Sequence, residues 1–175
     1  MMTMKKMSYV VLCAGLMLGA AGAQAQLRVE ITGIGSNQIP VAVATFANES
    51  AAPQSLSGII KADLARSGVF KLIDADTAIA ETAPVSYDQW KSRGADALAA
   101  GSVQSMADGR LDVRYKLFDT IKGAQISGMN NAAAPQFNRL LAHKIADDIY
   151  EKLTGVKGAC ATRIAYGTQS GREYR

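Results

Sequence analysis

Apolar and polar residues follow two different periods along this chain, and the changes from one to the other mark its elements. Leu27 to Ile31 runs Leu, Arg, Val, Glu, Ile, the alternation of a strand with one buried face. Pro40 to Phe46 is almost continuously apolar, as in a central strand buried on both sides. After Pro53 the period lengthens, and Leu56, Ile59, Ile60 and Leu64 fall on one face of a helix that closes at Gly68, a residue suited to a left-handed end. Val69 to Ile73 is a short strand, followed by a turn at Asp74-Ala75-Asp76. Ser86 and Gln89 have the spacing of a capping box, opening a short helix that carries Tyr87 and Trp90 and stops at Gly94.

Strand follows strand after that point. Ala95 to Ser105 is read as one, and Asp108-Gly109 is a strong turn signal. Beyond it Leu111, Val113, Tyr115 and Leu117 face one way while Asp112, Arg114 and Lys116 face the other. Lys122-Gly123 turns the chain into a third strand, Ala124 to Met129. Gln136 to Leu153 is the longest helix, with Phe137, Leu141, Ile145, Ile149 and Leu153 in steps of four, Leu140 beside them, and Thr154-Gly155 at its end. Strands that first alternate with helices and then run as a meander predict an α/β fold, a mixed sheet with helices packed on it. From Arg163 to Tyr174 the pattern is that of a strand start, a hairpin-like turn at Thr168 to Arg172 and a second strand only begun. A lone hairpin is marginal in water, so the expectation is a longer polypeptide that continues with more hairpins.

The first 25 residues follow another logic. Lys5 and Lys6 precede an apolar run from Tyr9 to Gly22, and Ala23-Gln24-Ala25 is a small-x-small cleavage site, which together predict a secretory signal cut between Ala25 and Gln26. The run is short for a membrane anchor. Cys13 follows Leu12, where a lipoprotein signal requires a small residue. The mature chain is therefore expected in an oxidising, extracytoplasmic compartment with no stable membrane insertion.

Cleavage changes what charge and cysteine content imply. Two of the 19 Lys and Arg residues leave with the signal, so 17 basic residues face 15 acidic ones, too even a balance to argue for nucleic acid. Of two cysteines only Cys160 remains, which excludes an internal disulfide.

Candidate chemistry is sparse. Gly33-Ile34-Gly35 after a strand resembles the start of a dinucleotide loop, but no third glycine follows in register and Pro40 opens a strand where a helix would be needed; it is read as a flexible loop. Asn48-Glu49-Ser50 matches a glycosylation pattern and is read as a turn. Asp63 lies close to an apolar stripe, so it is expected to bond a neighbouring element or to sit at the stripe's edge, with no evident carboxylate or histidine as a partner. His143, the only histidine, lies with Arg139 and Asp147 on the polar side of its helix and is read as solvated. Tyr87 and Trp90 are read as core. No catalytic, cofactor-binding or metal-ligating residue is assigned, and an enzyme is not expected. The alternative to a protein adaptor is an exported domain for a small molecule or cell-wall fragment, with a pocket lined by Tyr87, Trp90 and Tyr115.

Several stretches together resemble one family. LRVEITGIGSNQIPVAVATF at 27–46, ADLARSGVF at 62–70, Tyr87-x-x-Trp90-x-x-x-Gly94-Ala95-Asp96 and TRIAYG at 162–167 occur in the order and spacing of the TolB family of the bacterial Tol-Pal envelope system. The resemblance implies a periplasmic protein with an amino-terminal α/β domain over 26–157, a five-stranded mixed sheet between helices, and over 158–175 only the opening of a β-propeller. It implies an adaptor for outer-membrane integrity and division. Gln26, Leu27, Arg28, Val29, Glu30, Ile31, Thr32 and Gly33 would engage the carboxy-terminal domain of TolA, and the lipoprotein Pal would be held by the propeller. Such a segment can add to a partner's sheet edge, with Leu27, Val29 and Ile31 setting register and Gly33 and Gly35 as hinges.

Overall fold

A computed structural model describes residues 37–75 and 77–162, together with the backbone of Gln169–Ser170 and Glu173–Tyr174. The expected signal, its cleavage site at Ala25 and Gln26, the strand Leu27 to Ile31, the partner segment Gln26 to Gly33, the loop from Gly33 to Ser36, and the strand start Arg163 to Tyr166 lie outside the described residues.

Five strands form one sheet: β1 (Ile39–Val43), β2 (Phe70–Ile73), β3 (Ala97–Ser105), β4 (Leu111–Asp119) and β5 (Ala124–Ala133). Their order is β2-β1-β3-β4-β5, parallel among β2, β1 and β3 and antiparallel from β3 to β5. This is the mixed sheet that the pattern implied, with the five strands that the resemblance implied. Three helices accompany it: α1 (Leu56–Arg66), α2 (Tyr87–Ser92) and α3 (Asn138–Thr154). A further strand pair, β6 (Gln169–Ser170) and β7 (Glu173–Tyr174), is antiparallel.

The two faces of the sheet carry separate cores. Val41 and Val43 of β1 point with Val103, Val113, Tyr115 and Leu117 toward Leu56, Ile60 and Leu64 of α1 and Leu141, Ile145 and Ile149 of α3. Ala42 and Ala44 point the other way, with Leu98 and Phe118, against Trp90 of α2. A strand flanked by two neighbours and covered on both faces has no position for a polar side chain, which is why residues 40–46 are nearly all apolar. Each large side chain taken wholly out of water contributes on the order of 2 kcal/mol to that packing. Trp90 is core as expected, and Arg93 stacks over its ring with its guanidinium carbon 5.0 Å from the centroid.

Local signals placed most boundaries. Ser55 caps α1, its hydroxyl accepting the Gly58 N–H at 2.9 Å, and Glu49 accepts the Ser57 N–H at 2.5 Å and its hydroxyl at 2.8 Å, putting a carboxylate at the helix amino end. Gly68, Gly109, Gly123 and Gly155 all have positive φ at the four turns or ends anticipated for them. Asn48 is left-handed too, before a 3-10 turn at Glu49–Ala51.

Three expectations are corrected. Ser86 makes no side-chain cap, because its backbone (φ −84°, ψ 85°) lies outside the usual capping conformation; its carbonyl takes the Gln89 and Trp90 N–H groups instead. Phe137 is 48% exposed: the 3-10 turn Pro135–Phe137 precedes α3 and shifts it out of the helix register. β5 continues to Ala133, four residues past Met129, because the ladder to β4 holds Ala133 opposite Leu111 where apolar alternation has already ended. For the segment from Asp74 to Val85 the sequence pattern predicts little beyond a turn. Its Ala75, Ile79 and Val85 cover the α2 face, and Ile79 bridges Thr45 and Gly101 by backbone hydrogen bonds of 2.9 and 3.0 Å.

Candidate functional site

The polar flanks of α1 and α3 face each other, and the segment after α3 closes one side. Asp63 and Arg66 of α1 and Ser67 at its C-cap follow one another at helical spacing, and Arg139, His143 and Tyr150 do so on α3. With Lys157, Gly158, Ala159 and Cys160 they line a cavity of about 540 Å³. Neither flank is exceptional as sequence; packing α1 against α3 turns two polar stripes into opposite walls.

Asp63 forms the base. Its side chain is 4% exposed, and its two oxygens are divided: Oδ1 takes the Arg66 guanidinium, and Oδ2 takes Nδ1 of His143 at 2.5 Å. Asp63 thus bonds a neighbouring element, as expected. The solvated reading of His143 is overturned, since its side chain is only 17% exposed and paired. Its own helix carries no sign of the partner, because the acceptor stands on another helix, 80 residues earlier.

The segment after α3 is pinned by Asp147, one turn beyond His143. Its Oδ1 accepts the Cys160 N–H at 2.7 Å and its Oδ2 the Ala161 N–H at 2.8 Å. Gly158 makes that approach possible, because a Cβ there would stand 2.4 Å from Asp147 Oδ1 and 2.6 Å from its Cα.

Asp63, His143 and Cys160 in one cavity are the residue types of a thiol hydrolase. Their electrostatics point the other way. Partial burial, then the negative charges of Asp63 and Asp147, push the Cys160 thiol up to about 11, so it is held protonated near neutral pH, where a nucleophile needs thiolate. Among the described residues no group of three or more His, Cys, Asp or Glu is placed to hold a metal ion.

A second, half-buried carboxylate binds sheet to helix. Asp148 of α3 accepts the Tyr115 hydroxyl of β4 and, at 2.6 Å, the Ser127 hydroxyl of β5. Burial first, then the Asp148 carboxylate, raise the Tyr115 phenol well above its ordinary value. The pocket considered for Tyr87, Trp90 and Tyr115 does not form: Tyr115 faces α1 and α3, while Tyr87 and Trp90 pack on the opposite face. Gln26 to Gly33, the expected partner-binding residues, are outside the described residues. The cavity residues Arg66, Arg139, Tyr150 and Lys157 were not anticipated; the available signal was the facing spacing of 63, 66, 67 and 139, 143, 150.

Comparison with known proteins gives a consistent result. A family model of the TolB amino-terminal domain matches residues 27–126. The chain is 50% identical over 153 residues to the Tol-Pal system protein TolB of Dechloromonas aromatica (strain RCB), covering 86% of this chain and 36% of that protein. It is 46% identical over 153 residues to that of Bordetella avium (strain 197N), covering 87% and 35%. The crystal structure of TolB from Acinetobacter baumannii superposes with a TM-score of 0.63 at 28% identity, over 74% of this chain and 32% of that one. The chain thus spans a little over a third of the length of these curated relatives. Among the described residues no helix is long and apolar enough to cross a membrane.

Proposed function

This chain belongs to the TolB family of Tol-Pal system proteins, and from that membership we propose that it is a periplasmic adaptor binding TolA through its mature amino-terminal segment. The observation that carries the reading is the family match, which begins at residue 27, inside the segment concerned, and runs into β5. After cleavage between Ala25 and Gln26, residues Gln26 to Gly33 form the free end of the chain. Their alternation of Leu27, Val29 and Ile31 with Arg28 and Glu30 suits addition to an exposed sheet edge, where backbone hydrogen bonds supply affinity and alternate side chains supply register.

The adaptor carries out no chemical step; its output is a connection across the envelope that serves outer-membrane integrity and constriction at division. The reading includes Pal as a second partner, engaged by the portion of the full-length relatives that this chain does not match.

The test is a titration of the chain from Gln26 against the carboxy-terminal periplasmic domain of TolA, beside a version lacking Gln26 to Gly33. Saturable binding that disappears on deletion is expected. Binding by neither version, or equal binding by both, removes the assignment of TolA to this segment.

A further inference from the structure

We propose that the cavity between α1 and α3 is a binding site for a compact dianion, a small dicarboxylate or phosphate compound, held by Arg139, Lys157 and the outward N–H groups of Arg66. The carboxylate at its base disfavours an anion, as it does the Cys160 thiolate, but it is partnered. Both oxygens of Asp63 are taken, one by Arg66 and one by His143, and the side chain is shielded from water. Arg66 remains 65% exposed at its side chain, and a guanidinium has five N–H donors, so one bond to Asp63 leaves others for a ligand.

Arg139 and Lys157 bring two further positive charges to the same cavity, and among the described residues neither has an ion-pair partner. The next carboxylate along α3, Asp147, accepts two backbone N–H groups from the closing segment. Its charge is thereby partly compensated by two N–H donors. Two cations with no ion-pair partner among the described residues and a partly engaged guanidinium around one space favour an oxyanion of two charges, because forked N–H donors match the geometry of carboxylate and phosphate.

Shape supports the same ligand. A volume of about 540 Å³ is in the range of small-molecule sites, and Tyr150 offers an apolar wall beside the cations. The walls are held before any ligand arrives: the Asp63 pair ties α1 to α3, and the Asp147 bonds, with the close approach at Gly158, fix the third side. A site already ordered loses less freedom on binding.

The chain from Gln26 offers a built-in reporter, since His143 is its only histidine and its ring resonances are unambiguous. Inorganic phosphate and glutarate would be titrated separately by NMR and calorimetry, with neutral glutaramide alongside. Saturable shifts at His143 with at least one anion and none with glutaramide are expected, and the tighter anion identifies the ligand class. Arg139→Gln with Lys157→Gln should weaken that binding about ten-fold or more. Lys91→Gln with Lys122→Gln removes the same charge beside α2 and should leave affinity unchanged. No shift at His143 with either anion up to about 20 mM, a concentration that detects even millimolar dissociation constants, overturns the proposal. So does equal weakening by both double variants, which would mean attraction to net charge alone.

Discussion

Asp63 and His143, 80 residues apart in sequence, meet at 2.5 Å between α1 and α3. With side chains 4% and 17% exposed, the pair is withdrawn enough from water that neither group can exchange its partner freely for solvent. His143→Ala should destabilise the fold by about 1–3 kcal/mol in urea denaturation, because it leaves one Asp63 oxygen buried without its donor. The Asp63→Ala/His143→Ala double variant should cost less than the two single changes together. Strict additivity would mean that the two side chains act independently.

Gly101 in β3 is pressed against another strand and a ring. A Cβ at this position would stand 2.6 Å from the Arg114 carbonyl oxygen and 2.7 Å from the ring of Phe46. Because one obstacle is backbone and Phe46 is itself buried, neither can yield cheaply. Gly101→Ala should cost roughly 1–3 kcal/mol by thermal or chemical denaturation. Gly94→Ala, with positive φ but nothing within 4 Å, provides the comparison in which backbone strain acts alone.

Asp148 is shared by Tyr115 and Ser127, so the two donors back each other up. Tyr115→Phe or Ser127→Ala alone should cost about 1 kcal/mol. The double variant should cost more than the sum of the two, since Asp148 then loses both donors. Tyr115 should also remain unionised in an alkaline absorbance titration until the protein unfolds, because burial and Asp148 raise its phenol.

The Cys160 thiol gives a pH signature. Its folded value is raised from 9.0 to about 11, so the fold favours the protonated form; the stability this contributes is complete below about 9 and is lost as pH rises through about 11. Alkylation by iodoacetamide should be slower at pH 8 than for a free cysteine and should climb only toward pH 11. The residue as a whole is exposed, so access is not the obstacle. Asp63→Asn removes one of the negative charges that raise the thiol and should shift the reaction profile to lower pH.

The sequence by itself determined the elements, because a strand or helix buried on one face must repeat its apolar positions at its own period. The continuous run at Pro40 to Phe46 identified the strand buried on both sides, and Gly68, Gly109, Gly123 and Gly155 marked ends that need a positive φ. A mixed sheet followed from those elements, and its five strands from the TolB resemblance. Tertiary structure alone decided the rest. The Asp63–His143 pair, the facing of the two polar flanks and the docking of Asp147 on Cys160 and Ala161 are contacts between residues on different elements, and periodicity within one element carries no information about them. The same limit hid the coverage of the α2 face by Ala75, Ile79 and Val85, whose irregular backbone has no period to read.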